Sequence, residues 1–390
     1  MPWTDTDPMT ERHKFLLAVE DGLFSMTELC ERFGVSRKTG YKWVRRYREE
    51  GVDGLRDRSR APVHCPHRTP EATCQLLIDA RQTYPRWGPR KILDYLTPRH
   101  PTVVFPAPST VGDIFKRSGL VPPRQLQRRP SHPGTNALSA EAPGEVWTAD
   151  FKGEFRLRSG RYCYPLTVQD AYSRYLLVCT ALPSTAHCRA EPVFNQLFRA
   201  HGLPRAIRTD NGVPFASRGL CGLSRLSVGW IKLKIGLQRI QPGCPQQNGR
   251  HERMHRTLKA ETTRPPEANF PAQQQRFDAF RTEYNHVRPH QALDGSPPAS
   301  LYRRSKRPMP EPGLVLTYPG YMEVRTVSTS GAIKFRNRPL FISEVLAGER
   351  IALEEIEDRI WSVWLGQWLL ARLDEQAWTL HSGHPSPSSS

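Results

Sequence analysis

The stretch "PGCPQQNGRHERMHRTLKAE", residues 242–261, surrounds an acidic side chain, Glu252, with basic ones. Its basic neighbours are Arg250, Arg253, Arg256 and Lys259. An anion attracted by this much positive charge would be repelled by the carboxylate. The conflict disappears if a metal cation lies between Glu252 and the anion, and we therefore interpret the stretch as part of a metal site.

Written as a helix, this stretch has two different faces. The residues that share a face with Glu252 are Asn248, His255, Arg256 and Lys259. Met254 and Leu258 point to the opposite side, toward a core. We expect Glu252 to bind the metal ion, and Arg256 and Lys259 to hold a phosphate group.

Two more carboxylates stand near the ends of predicted strands. Asp150 lies in the apolar segment "VWTADF", and Asp210 closes "RAIRTDNG". In open α/β sheets, functional residues lie at the ends of strands and at topological switch points. Three carboxylates that converge there would repel each other, and Mg²⁺ relieves this because it prefers oxygen ligands and is held by carboxylates together with substrate phosphates. We expect two Mg²⁺ ions, for which Mn²⁺ can substitute, about 3.5–4 Å apart on Asp150, Asp210 and Glu252.

Residues 144–303 predict an α/β domain with a mixed sheet. The segments "EVWTADFKGEF", "RYCYPLTVQDAYSRYLLVCTAL" and "RAIRTDNG" carry the β-branched and aromatic residues of strands. Before the last of them, "AEPVFNQLFRAHGLP" predicts a helix with Pro192 at its first position. Consecutive strands followed by a helix and a further strand indicate an α/β core.

Residues 314–375 predict a different architecture, a small β-barrel. Short segments rich in β-branched and aromatic residues alternate there with turn signals. Trp361, Trp364 and Trp368 are expected in the barrel core. The last residues, 379–390, have the composition of a disordered tail.

Residues 8–60 predict a helix-turn-helix DNA-binding domain. In "MTELCERFGVSRKTGYKWVRRYREEG", Gly34 marks a turn and Ser36 the N-cap of the second helix. That helix has an apolar face and a basic face, as a recognition helix in the DNA major groove requires. The residues expected to contact DNA are Arg37, Lys38, Tyr41, Lys42 and Arg45. A solvated surface helix would explain the charges but not the glycine turn.

Residues 68–122 show a similar but weaker helix-turn-helix pattern. They predict a second helical, helix-turn-helix-like DNA-binding domain, and simple helix packing is the alternative. Segments rich in Pro, Gly and Ser around residues 57–70, 121–144 and 303–313 are predicted linkers.

Composition narrows the classes of function. The 390 residues include 56 Lys and Arg against 38 Asp and Glu, which gives a net charge of +18, and such a field attracts nucleic acid. We found no apolar run of membrane-spanning length and no signal peptide, so we expect no membrane partner and a cytoplasmic, nucleoid-associated protein. The eight cysteines form no CxxC pair. His64, Cys65, His67 and Cys74 fit no standard zinc spacing.

Taken in order, "TADF", "RTDNG" and the opening stretch resemble the catalytic core of insertion-sequence transposases and retroviral integrases. The helix-turn-helix, "WGPRKI" and "FDAFRTEYNHVRPHQAL" match the same transposases, so the resemblance covers about residues 15–303. It implies a ribonuclease-H-like core, metal binding by Asp150, Asp210 and Glu252, and a contact between Lys259 and the DNA of the element's end.

Two features depart from the family pattern. The spacing between Asp210 and Glu252 is longer than usual, and "CGLSRLSVGWIKL" (residues 221–233) lies within it. The zinc-binding module of retroviral integrases is absent from the N-terminal part, where the helix-turn-helix is expected to do its work.

These observations predict a transposase that binds the inverted-repeat ends of its mobile element. It would catalyse metal-dependent 3′-end cleavage and strand transfer into target DNA. Joining two ends needs two active sites, so we expect a homo-oligomer on double-stranded DNA. Two alternatives stay open: an inactive or domesticated DNA-binding regulator, and a nuclease that cleaves without joining.

Two smaller predictions concern polar residues near the carboxylates. We expect Asp170 in "VQDAYSRY" to be a turn residue. His251, His255 and His286 are expected to be solvated on helix surfaces.

Overall fold

The computed structural model describes residues 7–58, 68–121, 140–217, 219–240, 248–311, 313 and 315–383. They belong to two compact units, Met1–Thr69 and Pro70–Ser390. The zinc candidates His64, Cys65 and His67 lie outside the described residues, as does most of the linker predicted at 121–144. None of the helices in the described ranges combines the length and the apolar character that a membrane crossing needs.

The first unit contains three helices closed by a 3-10 turn. They are α1 (Pro8–Glu20), α2 (Met26–Arg32), α3 (Arg37–Glu50) and the turn Gly51–Leu55. Gly34, between α2 and α3, has a φ of 65°, which glycine adopts without steric cost. The Ser36 hydroxyl accepts a hydrogen bond from the Thr39 N–H and caps α3. The predicted turn and N-cap are confirmed.

The second unit begins with three helices that we call the helical unit. They are α4 (Glu71–Thr83), α5 (Pro89–Leu96) and α6 (Pro108–Arg117). They share a small apolar core whose buried members include Leu77, Trp87, Ile92, Val111 and Phe115.

A mixed sheet follows. Its strands are β1 (Val146–Phe151), β2 (Phe155–Arg156), β3 (Tyr162–Asp170), β4 (Leu176–Leu182), β5 (Ala206–Thr209) and β6 (Gly236–Arg239). The order is β2-β3-β1-β5-β6, and β4 also pairs with β3. Strands β1, β3 and β4 are antiparallel neighbours, whereas β1, β5 and β6 run parallel. The predicted mixed sheet is confirmed.

Helices cover both faces of this sheet. They are α7 (His187–His201), α8 (Arg225–Lys232), α9 (Gly249–Thr262), α10 (Phe270–His286) and α11 (Pro298–Leu301). Trp147 and Ala149 of β1 pack in the cluster that contains α7 and α8 residues. Because side chains alternate along a strand, Thr148 and Asp150 face the other way, toward α9. This alternation places the candidate carboxylate opposite α9.

The start of α7 differs from the prediction. The helix begins at His187, so Pro192 lies inside it and not at its first position. Pro192 removes one backbone hydrogen bond near the helix start. The buried stripe of Ala190, Phe194, Leu197 and Phe198 spans the proline and holds the helix on the sheet.

The C-terminal region is an open sheet, not the predicted closed barrel. Its strands are β7 (Glu323–Thr326), β8 (Ala332–Phe335), β9 (Arg338–Phe341), β10 (Arg350–Glu357), β11 (Ile360–Leu365), β12 (Trp368–Asp374) and β13 (Thr379–Ser382). Five strands pair in the order β13-β12-β11-β10-β7, and β8 pairs with β9 alone. A two-residue turn, Arg336–Asn337, with positive φ at both residues connects β8 to β9, and these two strands do not pair with the five-stranded sheet.

The tryptophans and the last strand of this region differ in part from the predictions. Trp361 is buried in the core as predicted, but Trp364 and Trp368 are only partly buried. Strand β13 occupies Thr379–Ser382, where the disordered tail was predicted to begin. Residues 384–390 of that tail lie outside the described residues.

The segment that lengthens the spacing between Asp210 and Glu252 has a structural role. Residues 225–232 of it form α8, which is capped by Ser224. Leu223, Val228 and Ile231 share one apolar cluster with residues of the C-terminal sheet. The segment therefore joins the mixed sheet to the C-terminal sheet.

Candidate active site on the mixed sheet

Helix α9 lies beside β1 and runs in the same direction. Thr148 Oγ1 is 2.8 Å from Nδ1 of His251, and one helical turn later Asp150 Oδ2 is 3.6 Å from Nδ1 of His255. Four helical residues rise about 6 Å, and two strand residues rise about 6.5 Å. Each turn of α9 therefore meets every second residue of β1.

Thr167 of β3, which is paired with Asp150, ties both histidines to the sheet. Its hydroxyl oxygen lies 2.7 Å from Nε2 of His251 and 2.7 Å from Nε2 of His255. The hydroxyl also donates to the Asp150 carbonyl at 3.0 Å. Because a hydroxyl has one proton to donate, both imidazoles must donate their Nε2–H to Thr167.

The prediction that His251 and His255 are solvated is wrong. Their exposed fractions are 0% and 6%. Both occupy the face of α9 that packs on the sheet, and threonine hydroxyls supply the partners that a buried imidazole needs. His286 is exposed, as predicted.

These hydrogen bonds leave two acceptors facing each other. Burial, followed by His251 and the charge of Lys152, lowers the pKa of His255 far below its usual range, so the ring is neutral. With its proton on Nε2, its Nδ1 lone pair points toward the Asp150 carboxyl group at 3.6 Å. A proton on Asp150, or a cation between these two groups, would remove the repulsion.

Asp210 reaches the same edge of the sheet through β5. Strands β1 and β5 are parallel, with Thr148 beside Arg208, and extending that register by two residues places Asp150 beside Asp210. Neighbouring strands lie about 4.8 Å apart. The Gly212 N–H donates to Asp210 Oδ1 at 3.1 Å and forms the predicted turn.

Glu252 is exposed in the first turn of α9, where the positive end of the helix dipole favours a carboxylate. Burial first, then the negative charges of Asp210 and Glu252, raise the pKa of Asp150 to about 7. Burial also raises the pKa of Asp210. The three predicted carboxylates therefore share one electrostatic environment.

Across the described ranges, no three carboxylate, imidazole or thiolate groups already form a metal cage. Residues 241–247, which join β6 to α9, lie outside those ranges. Two observations nevertheless fit a cation at this edge: the raised pKa of Asp150 and the facing acceptors of Asp150 and His255. Carboxylate oxygens are also the ligands that Mg²⁺ prefers.

Lys152 is a basic group at this edge that the sequence analysis missed. Burial, then the charge of Lys259, lowers the pKa of Lys152, while Asp150 opposes this shift. Lys152 follows β1 and Lys259 belongs to α9, so the positive charges of both side chains act at this edge of the sheet. The signal was present in the sequence, because a residue two positions after Asp150 in an extended chain lies on the same side as Asp150. Lys259 and Arg256 are exposed.

The two faces predicted for α3 are confirmed. Gly40, Trp43 and Val44 are buried. The exposed residues are Arg37, Lys38, Tyr41, Lys42 and Arg45. The Lys42 ammonium lies 4.2 Å from the centroid of the Trp43 ring, which supports its stem on the helix surface. The contact of these residues with DNA stays a prediction.

Asp170 has the turn role that was predicted. It is fully buried and accepts hydrogen bonds from the Ser173 N–H, the Ser173 hydroxyl and the Gly144 N–H, at 2.8, 2.5 and 2.8 Å. These donors satisfy its carboxylate at the end of β3, where Asp170 is paired with Trp147, three residues before Asp150 on β1.

Parts of the chain match known domain families. Residues 140–245 and 233–298 match the integrase core domain, residues 11–62 a helix-turn-helix domain, and residues 39–115 a homeodomain-like domain. A 39.2 kDa protein of the insertion element IS476 from Xanthomonas euvesicatoria is 28% identical over 61% of this chain and 67% of its own length. The chain is related to insertion-sequence transposases and carries an integrase-type core.

Viral proteins are also similar to parts of this chain. The Pol polyprotein of feline endogenous virus ECE1 is 34% identical over 31% of this chain, and the matched region covers only 11% of the polyprotein. A chain of the simian T-cell lymphotropic virus intasome, solved with the PP2A regulatory subunit B56 gamma, is 15% identical. It aligns over 76% of this chain and 97% of that chain, with a TM-score of 0.38.

The Thr167 hydroxyl is expected to hold α9 in place. Thr167→Val keeps the shape but leaves two buried imidazole N–H groups without an acceptor, so the free energy of unfolding should fall by about 1–3 kcal/mol. Urea denaturation measures this. Thr180→Val, on the neighbouring strand β4, is the control and should change stability by less than about 0.5 kcal/mol. Equal effects of the two substitutions would contradict the bridging role of Thr167.

Proposed function

We propose that this chain is a DNA transposase that binds the ends of its mobile element, cleaves their 3′ ends and joins them to target DNA. The observation that carries the proposal is the position of Asp150 in an integrase core: the pairing of β1 with β5 brings it toward Asp210, and the negative charges of Asp210 and Glu252 contribute to its raised pKa. The exposed basic face of α3 supports the DNA-binding part of the proposal.

In this proposal Asp150, Asp210 and Glu252 hold two Mg²⁺ ions, with Mn²⁺ as a substitute. When bound, such ions activate the attacking oxygen and stabilise the leaving oxygen of a phosphodiester. The protein supplies rigid positions for the three carboxylates. Asp150 is fixed on the central strand β1, and Glu252 is fixed by the contacts of α9 with Thr148 and Thr167.

The cationic side chains at this edge position the DNA backbone. Arg256 and Lys259 lie on the exposed side of α9, and Lys152 lies beside Lys259. Lys152 and Lys259 repel each other, and a phosphate group between them would relieve that repulsion. These contacts would hold the phosphodiester next to the carboxylates, which is how a bound substrate gains the geometry that the reaction needs.

The oligomeric state follows from the reaction and not from the fold. Each DNA end needs one active site, so joining two ends to one target requires at least two copies of the chain. We propose a homo-oligomer on DNA, to which the C-terminal sheet contributes by holding DNA or by bridging protomers.

The two alternative functions predict different products. A regulator without catalysis would bind a labelled DNA end and release it unchanged, and a simple nuclease would cut but not join. Incubating the protein with Mn²⁺, a labelled end and a supercoiled target therefore separates the three functions. Joined products support the transposase.

The triad is tested by Asp150→Asn. The charge that would hold a metal ion is lost while the size is kept, so cleavage and joining should fall by at least about 1,000-fold. Binding of the DNA end in a gel-shift assay should be unchanged. Asp278→Asn, an exposed change on α10, should keep full activity. Joining by Asp150→Asn in Mg²⁺ would refute the assignment.

The DNA-binding face is tested by replacing Lys38, Lys42 and Arg45 together with Ala. Each phosphate contact releases about 0.9 counterions, so the slope of log affinity against log salt should flatten by up to about 3. Fluorescence anisotropy with a labelled end measures the slope. Lys14→Ala on α1 removes an exposed charge elsewhere in the same unit and is the control. An unchanged slope in the triple variant would remove α3 from the interface.

The role of Lys152 is tested by Lys152→Gln. Loss of one charged contact to phosphate costs roughly 1.5–3 kcal/mol, so the turnover of cleavage should fall at least about tenfold. Binding through α3 should not change. Lys14→Gln serves as the control. Wild-type turnover in Lys152→Gln would show that this side chain does not touch the substrate.

A further inference from the structure

Two motifs of unexplained purpose meet inside the second compact unit. "WGPRKI", residues 87–92, leads into α5 of the helical unit. "NHVRPHQAL", residues 285–293, follows α10 of the integrase core. They are far apart in sequence, yet Arg288 of the second motif lies against Trp87 of the first, with its Cζ atom 5.7 Å from the centroid of the ring.

Arg288 is buried and fully engaged. Only 4% of it is exposed. Its Nη2 lies 2.6 Å from Glu261 Oε2 and 2.9 Å from Glu283 Oε2, and its Nε lies 3.2 Å from the same Glu283 oxygen. Glu261 belongs to α9, the helix that carries Glu252, and Glu283 belongs to α10. One guanidinium therefore connects α9, α10 and the helical unit.

Trp87 anchors the other side of this contact. It is 1% exposed and stacks on Tyr84 at 3.9 Å, while Tyr95 meets its edge at 5.5 Å. The Arg81 side chain donates to the Trp87 carbonyl and, at 3.2 Å, to the Leu120 carbonyl. The ring that faces Arg288 is thus held by the whole helical unit.

Further contacts join the helical unit to the integrase core. Val287 packs on the apolar core of the helical unit. Gly295 has a φ of 78°, and a Cβ atom there would lie 3.1 Å from Asp94 Cγ, so the Asp94 side chain of α5 packs closely on the Gly295 backbone. Burial lowers the pKa of Lys91 on α5, and Glu283 is among the carboxylates that oppose this shift.

We propose that Arg288 is a positioning residue that locks the helical unit to α9, and thereby sets which phosphodiester the active site cuts. The inference rests on the proposed function, because it concerns DNA held by the helical unit. A duplex bound there would be at a fixed distance from Glu252 and Lys259, since Glu261 lies on the same helix. Without the lock, that distance would vary and neighbouring phosphodiesters would also reach the carboxylates.

The charge of the helical unit supports DNA as its partner. Five of its basic side chains are exposed: Arg86, Arg90, Arg99, Lys116 and Arg117. Lys116 and Arg117 lie in the last turn of α6. In contrast, the buried Arg288 and the half-buried Lys91 interact with carboxylates of the core. The exposed and the buried cations of this region therefore have different tasks, binding and docking.

The test replaces Arg288 with Met in the full chain and maps the cuts in a labelled duplex that carries the element's end and flanking DNA. The wild type should cut at one position. Arg288→Met should cut at several neighbouring positions, with total turnover lowered between about tenfold and 100-fold. End affinity should stay within about twofold, because α3 lies in the other compact unit. Arg288→Lys keeps the charge, so a larger fraction of its cuts than in Arg288→Met should fall at the wild-type position.

The matched control is Arg281→Met. Arg281 also lies on α10 and makes an ion pair and a backbone hydrogen bond, but its partners, Asp278 and Leu177, belong to the core. This variant should lose some stability and keep one cut position. A loss of stability alone therefore does not mimic the expected result.

Amide hydrogen exchange gives a second readout that needs no cleavage. In Arg288→Met, exchange should rise in α4–α6 and stay at wild-type levels in β1 and β3. A single cut position together with wild-type exchange in α4–α6 would overturn the proposal. If the wild type itself does not cut, the proposed function fails, and the exchange result still decides whether Arg288 docks the helical unit.

A variant on the other side of the contact covers the case in which Arg288→Met does not fold, which loss of protection in β1 would reveal. Trp87→Phe keeps an aromatic ring for Tyr84 and shortens the surface under the guanidinium. It should broaden the cut positions less than Arg288→Met and leave the core intact. A single cut position in a folded Trp87→Phe, with unchanged exchange in α4–α6, would overturn the proposal.

Discussion

The similar rise of a helix and a strand is the constraint on which this site depends. Four residues of α9 advance nearly as far as two residues of β1, so contacts recur along their shared length. His251 meets Thr148, His255 meets Asp150, and Lys259 approaches Lys152. Glu252 lies one position after His251, and this packing brings its charge near enough to contribute to the raised pKa of Asp150. A helix at another angle would share only one such contact with the strand.

Backbone hydrogen bonding, and not electrostatic attraction, brings carboxylates together in this strongly basic chain. Asp150 and Asp210 are drawn side by side by the parallel pairing of β1 and β5, which hydrogen bonding enforces whatever the side chains are. The resulting repulsion, with burial, raises the pKa of Asp150 to about 7. The neighbouring cations Lys152 and Lys259 are not ion-paired to these acids in the described part of the chain. In the function that we propose, both signs of charge are left for external partners, a metal ion and a phosphate backbone.

Much of the catalytic core was predictable, because it depends on short-range patterns. The apolar strand segment "VWTADF" contained Asp150, the Asn-Gly turn marked the strand end at Asp210, and the turn at Gly34 marked the approach to α3. The errors have long-range causes. His255 looked solvated because its partner, Thr167, is 88 residues away in sequence. Closure of the barrel failed because the β8–β9 hairpin pairs only with itself, and local patterns do not reveal which strands become neighbours.

The shared apolar cluster of α8 and the C-terminal sheet limits how the chain can be divided. Leu223, Val228 and Ile231 bury their side chains against that sheet, although they lie between Asp210 and Glu252 in sequence. A truncated fragment that ended before β7 would expose this surface to water and would tend to aggregate. In deletion mapping, the loss of activity would then be attributed to the C-terminal region, although its cause is a loss of solubility.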